Sequence, residues 1–157
     1  MLLGDIGVGK TSLANRFVFD RFDSAYKTTI GVDVLTHDVN CDGQTLRMIL
    51  WDTDGDFGQR IFETVYVRGA SGAILVSDAS RPSTTLKMAN LARDFAERFP
   101  GRPLRSVINK IDLAPGEQAA IAAGLRMEET LFSSALTGEG VSELFESIGA
   151  AIIRRGL

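Results

Sequence analysis

The stretch from Gly4 to Ser12 constrains the fold of this chain more than any other, because it places closely spaced glycines between a short apolar run and a helix-like pattern. It reads GDIGVGKTS and satisfies the phosphate-binding pattern G-x-x-x-x-G-K-[ST]. Backbone N–H groups can surround a phosphate chain only where side chains do not block them, which glycine allows. The N-terminus of the next helix adds unpaired N–H groups and the positive end of its dipole. We therefore predict that Gly7, Val8 and Gly9 form part of a nucleotide site.

Two side chains at the end of this loop carry its polar chemistry. Lys10 supplies a positive charge for the outer phosphates, and the hydroxyl of Thr11 is a hard oxygen ligand suited to Mg²⁺. The alternative is an ordinary glycine-rich turn between a strand and a helix, and motifs further along the chain decide between the two.

Composition and charge exclude several classes of partner. A length of 157 residues is sufficient for one domain with its own core, so we expect a single domain over residues 1–157. A formal net charge of −3 gives no electrostatic reason to expect nucleic acid or an anionic membrane as the main partner. The single cysteine, Cys41, excludes an internal disulfide and fits a reducing compartment, which favours a cytoplasmic protein. We expect no direct membrane anchor in this chain, because no apolar run is long enough to span a bilayer and the C-terminus lacks the cysteine that prenylation requires.

Alternating strand and helix patterns predict an α/β fold. Five apolar or alternating runs are typical of strands: 34–40, 45–52, 72–77, 106–109 and 130–133. Asp42-Gly43 between the first two is a hairpin signal. Apolar residues at helical spacing predict two amphipathic helices, with Met88, Leu91, Ala92, Phe95 and Phe99 in one and Val141, Leu144, Phe145, Ile148 and Ile152 in the other. We expect a mostly parallel sheet with helices on both faces and a ligand site beyond the carboxyl ends of its strands.

A second motif, Trp51-Asp52-Thr53-Asp54-Gly55, directly follows an apolar strand. A carboxylate at a strand end beside a phosphate site is what Mg²⁺ coordination requires, often through water. A lone aspartate in such a place is more often a cap or a turn residue. In a chain that also has the phosphate loop, the motif predicts that Asp52 is a metal ligand.

A third motif, Asn109-Lys110-Ile111-Asp112, lies at the end of another strand. The Asp112 carboxylate can accept two hydrogen bonds from the neighbouring N–H donors of guanine, a pair that adenine does not offer. The amide of Asn109 can meet the other edge of the base, and the stem of Lys110 can lie across the ring. The tetrapeptide alone is a weak signal, but after the two preceding motifs it indicates GTP and GDP rather than adenine nucleotides.

The chain resembles the small GTPases of the Ras superfamily over essentially its whole length, and it is most similar to the Rab branch. The matching stretches are GDIGVGKTS, YKTTIGVD, WDTDG, YVRGASGAILVSDAS, NKID and SSAL. The resemblance implies the P-loop NTPase fold of a Ras-like G domain, with a mostly parallel six-stranded sheet and five helices. The family has several more residues before the phosphate loop than Met1-Leu2-Leu3, so we expect a trimmed chain or one domain of a longer protein.

The resemblance also implies roles for residues that composition does not single out. Phe22 would press edgewise on the base, and Ser12 would bind the inner phosphate. Thr29 would ligate Mg²⁺ and sense the terminal phosphate, which Gly55 would also sense through its backbone N–H. The second base-contacting loop would be formed by Ser134, Ala135 and Leu136. The family usually has lysine in place of Leu136, a loss that is tolerable where the contact is made by the backbone.

The mechanism implied by the resemblance is a molecular switch. Residues 22–33 and 54–67 would be held by the terminal phosphate and Mg²⁺ and released when that phosphate leaves. Effectors, an exchange factor and a GTPase activator would read these two segments on a monomer.

Two departures from the family pattern predict slow GTP hydrolysis. The family reads Asp-Thr-Ala-Gly-Gln, with the glutamine orienting the attacking water, whereas this chain has Asp54 and Asp56 at the variable places. A carboxylate cannot donate to the transferring phosphoryl group as an amide can, and it adds negative charge near the phosphates. Ile6 replaces a small residue of the phosphate loop and is expected to obstruct an arginine finger. Gln59 is an alternative partner for the water, which an ungapped alignment disfavours.

Three functions therefore stay open. The first is a GTP-hydrolysing switch whose catalytic residues are Lys10, Thr29, Gly55 and Asp56. The second is a GTP-loaded scaffold with negligible turnover, which Asp54 and Asp56 favour. The third is a P-loop ATPase or nucleotide kinase, which the guanine motif disfavours.

Overall fold

The computed structural model describes residues 1–25, 27, 29–53, 55–63 and 65–156, without the side chains of residues 56–59, 65 and 66. The strands are β1 (Leu2–Gly4), β2 (Val32–Cys41), β3 (Gln44–Thr53), β4 (Ala73–Asp78), β5 (Leu104–Asn109) and β6 (Thr130–Phe132). The α-helices are α1 (Lys10–Phe19), α2 (Val65–Gly69), α3 (Pro82–Arg98), α4 (Gly116–Ala122) and α5 (Val141–Arg154). Two 3-10 helices span Gly55–Glu63 and Met127–Glu129.

The strands form one sheet of six in the order β2-β3-β1-β4-β5-β6. β2 and β3 are antiparallel, and all other neighbours are parallel. The mostly parallel six-stranded sheet expected from the sequence is therefore confirmed. The ladder between β2 and β3 runs from Val32↔Thr53 to Cys41↔Gln44, which is longer than the predicted strands. Backbone pairing continues past the ends of the apolar pattern, because polar residues at a hairpin end pair through their main chain as well as apolar ones do.

Successive residues of the central strands enter different apolar clusters, which places helices on both faces of the sheet. Val76 packs in a cluster with Phe145 of α5, whereas its neighbour Leu75 packs in a cluster with Phe95 of α3. Both phenylalanines are 0% exposed. Burying a side chain of this size stabilises the fold by about 1.5–3 kcal/mol, so these two residues are principal anchors of the flanking helices.

The hairpin between β2 and β3 turns at Asp42 and Gly43, in agreement with the sequence signal. Their φ angles are 53° and 79°, so both residues are left-handed. Two left-handed residues match the type I′ turn, whose twist suits paired antiparallel strands.

The predicted motifs meet at one edge of the sheet. The phosphate loop follows β1, Asp52 lies near the end of β3, Asn109 is the last residue of β5, and Ser134 follows β6. The carboxyl ends of strands in an open α/β sheet are where ligands bind. Across the described ranges, no helix has both the length and the apolar character needed to cross a membrane.

Candidate nucleotide-binding site

A cavity of about 370 Å³ lies at this edge of the sheet. Its lining includes predicted site residues from every motif: Gly7, Gly9, Lys10, Thr11, Ser12, Phe22, Thr29, Gly55, Asn109, Lys110, Asp112, Ala135 and Leu136. Three further predicted residues, Val8, Asp52 and Ser134, are buried behind the lining with exposures of 0%, 1% and 0%. A second cavity of about 260 Å³, between β3, β4 and α5, contains no predicted site residue.

Glycine is required at two positions of the phosphate loop. Gly7 and Gly9 have φ angles of 72° and 100°. A Cβ atom on Gly9 would lie 2.3 Å from Asn109 Nδ2, so a side chain there would collide with the guanine motif. α1 begins directly after Gly9 without a side-chain cap. The first N–H groups of an uncapped helix are those that bind anions.

The side chain of Lys10 is folded back onto the loop that precedes it. Its ammonium group donates to the carbonyls of Gly4, at 3.0 Å, and Asp5, at 2.9 Å. The residue is only 6% exposed. The positive charge is therefore held beside the phosphate loop rather than in solvent.

Three oxygen-bearing side chains from separate parts of the chain meet beside the phosphate loop. The Thr11 hydroxyl donates a short hydrogen bond to Asp52 Oδ2 and lies 2.8 Å from Thr29 Oγ1. Thr29 Oγ1 also lies 3.4 Å from Asp52 Oδ2. The other oxygen of this buried carboxylate, Oδ1, has no hydrogen-bond partner among the described residues.

The chemistry of this cluster suits a magnesium ion. Burial raises the pKa of Asp52, and the charge of Asp33 adds to that effect, while the hydrogen bond from Thr11 and the charge of Lys10 act in the opposite direction. A buried carboxylate oxygen without a partner is costly, and a bound cation would satisfy it and favour the ionised form. Mg²⁺ prefers oxygen ligands, and the described residues contain no group of three His, Cys, Asp or Glu that would suit another metal. The residues present therefore fit Mg²⁺.

At the other end of the cavity, Asn109 connects three loops. Its amide Nδ2 donates to Val8 O at 3.0 Å. Its Oδ1 accepts from Ser133 Oγ at 3.1 Å and from the backbone N–H of Ala135 at 3.2 Å. The side chain is 1% exposed. It joins the phosphate loop to the segment after β6.

Lys110 and Asp112 are both fixed by neighbouring residues. Lys110 is left-handed, with a φ of 65°, and its ammonium group donates to Gly7 O at 2.6 Å. Asp112 Oδ1 accepts a 2.5 Å hydrogen bond from Ser134 Oγ. Ser134 therefore orients a carboxylate that lines the cavity, although the serine itself does not line it.

Comparison with protein families decides what kind of protein carries this arrangement. The family model described as the Ras family matches residues 1–154. The chain belongs to the Ras family. It is accordingly a small GTP-binding switch, of a family whose members bind guanine nucleotides and interact with regulators and effectors.

In this Ras-family chain, Asp78 is a buried residue that accepts several hydrogen bonds, and none of the sequence motifs indicated it. It is 1% exposed and accepts hydrogen bonds from Lys110 Nζ at 2.8 Å, Ser80 Oγ at 2.6 Å and Arg81 Nε at 3.0 Å. Burial alone would raise the pKa of Asp78, but these hydrogen bonds outweigh it and lower the pKa. Arg81 also donates to Ile6 O at 2.8 Å. The signal that could have found Asp78 is its place at the end of an apolar strand, as for Asp52.

Arg16 of α1 is a second residue that no motif indicated. Its guanidinium donates to the carbonyl of Ala135 at 2.8 Å and to that of Leu136 at 2.7 Å. It therefore supports the loop that the Ras-family resemblance assigns to the base.

Ile6, the apolar departure in the phosphate loop, lines the cavity. Its N–H donates to Asp5 Oδ1 at 2.9 Å, and Asp5 Oδ2 accepts from Lys87 Nζ at 2.7 Å. A Cβ atom on Gly55 would lie 2.4 Å from Ile6 N. The backbone of Gly55 therefore packs directly on the phosphate loop, and any side chain at this position would collide with it.

The remaining departures lie largely outside the described residues. Asp54 is not described, and for Asp56 the structure gives only its backbone, within the 3-10 helix Gly55–Glu63. Their effect on hydrolysis stays a prediction. Phe22 and Leu136, which the resemblance places at the base, line the cavity with exposures of 37% and 48%.

Proposed function

We propose that this Ras-family chain binds GTP and GDP together with Mg²⁺ in the 370 Å³ cavity and hydrolyses GTP slowly. The observation that supports this best is the meeting of Thr11, Thr29 and Asp52 around a buried carboxylate whose Oδ1 lacks a partner among the described residues. When bound there, Mg²⁺ neutralises charge on the outer phosphates.

The residues at this end would hold the phosphates and report on the last of them. Lys10 and the N–H groups of Gly7 to Gly9 bind the outer phosphates, and Ser12 binds the inner one. Thr29 belongs to the segment 22–33, so a bond from its hydroxyl to Mg²⁺ would stabilise the ordered form of that segment while the terminal phosphate is present. Gly55, which already packs on the phosphate loop, does the same through its N–H.

The residues at the other end would select guanine. Asp112 accepts from the two neighbouring N–H donors of the base, in an orientation that its hydrogen bond from Ser134 supports. Asn109 faces the opposite edge of the base, and the Lys110 stem lies across the ring. Phe22 and the backbone at Ala135 complete the base site.

We attribute the slow hydrolysis to poor orientation of the catalytic water. Asp56 stands where the family has glutamine, and Asp54 adds a second carboxylate. Each such charge a few ångströms from the phosphates costs about 1–4 kcal/mol. Ile6 would in addition obstruct an arginine finger, which contributes roughly 10³–10⁵ to the rate of family members that use one. The same two aspartates favour the second candidate, a GTP-loaded scaffold with negligible turnover.

Partners would read the two switch segments, 22–33 and 54–67, on a single-domain monomer most similar to the Rab branch. Ile30 in the first segment is 90% exposed, as a side chain available to a partner would be. In the second segment Ile61 and Phe62 are 1% and 5% exposed. Ile61 and Phe62 therefore belong to the core, and an effector or regulator would read other side chains of this segment.

Single-turnover hydrolysis of preloaded GTP tests the proposal. We expect a slow wild type and a rate increase of about tenfold or more in Asp56→Gln, because an amide both accepts from water and donates to the phosphoryl group. Asp54→Ala is the matched control for charge, since it removes a carboxylate without supplying an amide. A wild-type rate above that of Asp56→Gln would contradict the assignment. Wild-type protein that purifies with trapped GTP and shows no turnover would favour the scaffold.

A further inference from the structure

All three guanidinium nitrogens of Arg16 donate hydrogen bonds, to backbone carbonyls and to the Asp20 side chain. Its Nε donates to Ala135 O at 2.8 Å and its Nη2 to Leu136 O at 2.7 Å. Its Nη1 reaches Asp20 O at 3.3 Å and Asp20 Oδ1 at 3.2 Å, at the end of its own helix. The side chain is 18% exposed, so these bonds are partly shielded from water. A planar fork on two consecutive carbonyls fixes both their position and their direction.

Among the described residues, Arg16 is the donor to the carbonyls of Ala135 and Leu136, and other hydrogen bonds shape the rest of the loop. The backbone N–H of Ala135 goes to Asn109 Oδ1, and the Ser134 hydroxyl goes to Asp112. The N–H of Gly138 donates to Ser134 O at 2.8 Å, which closes the turn. Ala135 is 2% exposed, so removal of the arginine would leave its carbonyl poorly solvated.

Helix α1 contributes residues to both ends of the proposed nucleotide site. α1 begins with Lys10 and Thr11 beside the phosphate loop and contains Arg16 in its later part. A displacement of the helix that disturbs the phosphate end would therefore also displace the fork that holds the base loop. Helices transmit such displacements because their backbone is rigidly hydrogen-bonded.

We propose that Arg16 is a positioning residue for guanine: it holds the 134–136 loop against the base and thereby sets guanine selectivity and the residence time of the nucleotide. This inference rests on the proposed function, since it requires that a guanine nucleotide occupies the cavity. Guanine offers an acceptor oxygen where adenine offers an amino group, so a backbone N–H of this loop directed at the base would favour guanine. Loss of the loop position therefore weakens guanine more than adenine.

The test is the release rate of fluorescently labelled GDP from Mg²⁺-loaded protein, with competition by unlabelled GDP and ADP. Arg16→Ala is expected to release GDP about tenfold faster than wild type and to lose a similar factor of its preference for GDP over ADP. The release rate and the preference of Arg16→Lys are expected to lie between those of wild type and Arg16→Ala, because a single ammonium cannot bind both carbonyls as the guanidinium does.

Two matched controls separate positioning from loss of stability. Arg105→Ala removes another arginine fork, which donates to Ser147 Oγ and Ser147 O at 3.1 Å, away from the cavity. Asp20→Asn removes the charge of the third residue that Arg16 contacts. The Asp20 side chain is 94% exposed, and asparagine tolerates the left-handed backbone of this position. Both are expected to keep the wild-type release rate and the wild-type preference.

Each outcome supports or overturns the inference. Faster release with an unchanged preference for GDP over ADP overturns it, and so does release from Arg105→Ala as fast as from Arg16→Ala. If Arg16→Ala does not fold, the preference for GDP over ADP is measured on Arg16→Lys instead. A wild-type preference in Arg16→Lys then overturns the inference. Wild-type protein that retains no guanine nucleotide refutes the proposed function itself, which is a different failure.

Discussion

Lys110 Nζ lies 2.8 Å from Asp78 Oδ2 and 2.6 Å from Gly7 O, so the carboxylate at the end of β4 holds the lysine against the phosphate loop. We expect Asp78→Asn to lower the free energy of unfolding by about 2 kcal/mol, the scale of a hydrogen bond to a charged group. Chemical denaturation at neutral pH measures the difference. The exposed pair Arg47 and Asp38 provides the control, because Asp38→Asn should change the free energy of unfolding much less than Asp78→Asn does.

The same pair predicts a pH dependence. Although burial acts to raise the pKa of Asp78, hydrogen bonds from Lys110, Ser80 and Arg81 lower it below its ordinary value. A carboxylate whose pKa is lower in the folded state contributes stability that is complete well above its unfolded value of about 4 and is lost as the pH falls through the folded-state pKa. The difference in unfolding free energy between wild type and Asp78→Asn should therefore be constant from neutral pH to about pH 5 and narrow below about pH 4. A difference that grows on acidification would contradict the account.

Two left-handed glycines give a test of the crowding at the phosphate loop. Gly9 has a φ of 100°, and a Cβ there would lie 2.3 Å from Asn109 Nδ2, whereas Gly101 has a φ of 78° and nothing within 4 Å. Gly101→Ala should cost only the left-handed strain, about 1–2 kcal/mol. Gly9→Ala should cost more and also lose nucleotide binding, because the loop or Asn109 must move. Titration with labelled GDP and thermal unfolding of both variants measure this, and equal effects in the two would refute it.

Removal of the metal tests the oxygen cluster. Addition of EDTA to GDP-loaded protein should speed GDP release by about tenfold or more, since Mg²⁺ is expected to bind the GDP-loaded protein more tightly than the empty protein. In Asp52→Asn the release should be fast with or without EDTA. Without nucleotide or Mg²⁺ the variant should melt no lower than wild type, because burial disfavours the charge of Asp52. An EDTA response of wild-type size in Asp52→Asn would show that this carboxylate does not hold the metal.

The features of the site that could be predicted from the sequence are those that depend on residues close together in the chain. The glycine spacing at Gly7 and Gly9 and the strand-end position of Asp52 follow from local chemistry. In the structure the two glycines line one cavity, and Asp52 lies buried behind Thr11 and Thr29, which line it as well. The sheet followed from alternating patterns, with small errors at strand ends such as Gly72, which precedes β4 rather than beginning it. Such ends are set by backbone pairing, which the side-chain pattern does not record.

Arg16 and Asp78 were not predicted because an important partner of each is distant in the chain, Ala135 for Arg16 and Lys110 for Asp78. Arg16 meets Ala135 and Leu136 only after the whole sheet has formed, and nothing near it in sequence marks it as more than a surface helix residue. Asp78 is the last residue of a buried strand, and the sequence does not show that Lys110, 32 residues away, donates to it. Contacts of this kind follow from the topology and not from a local motif.

The central claim is that one cavity binds a guanine nucleotide, with Asp112 recognising the base. The preference of Asp112→Ala for GDP over ADP tests this, compared with wild type and with Ser134→Ala. The serine variant removes the hydrogen bond that orients the carboxylate and the one that Ser134 Oγ accepts from the Thr137 N–H at 3.1 Å, while the carboxylate itself stays. We expect Asp112→Ala to lose about a hundredfold of the wild-type preference and Ser134→Ala to lose a smaller factor. An Asp112→Ala variant that keeps the wild-type preference would contradict the central claim.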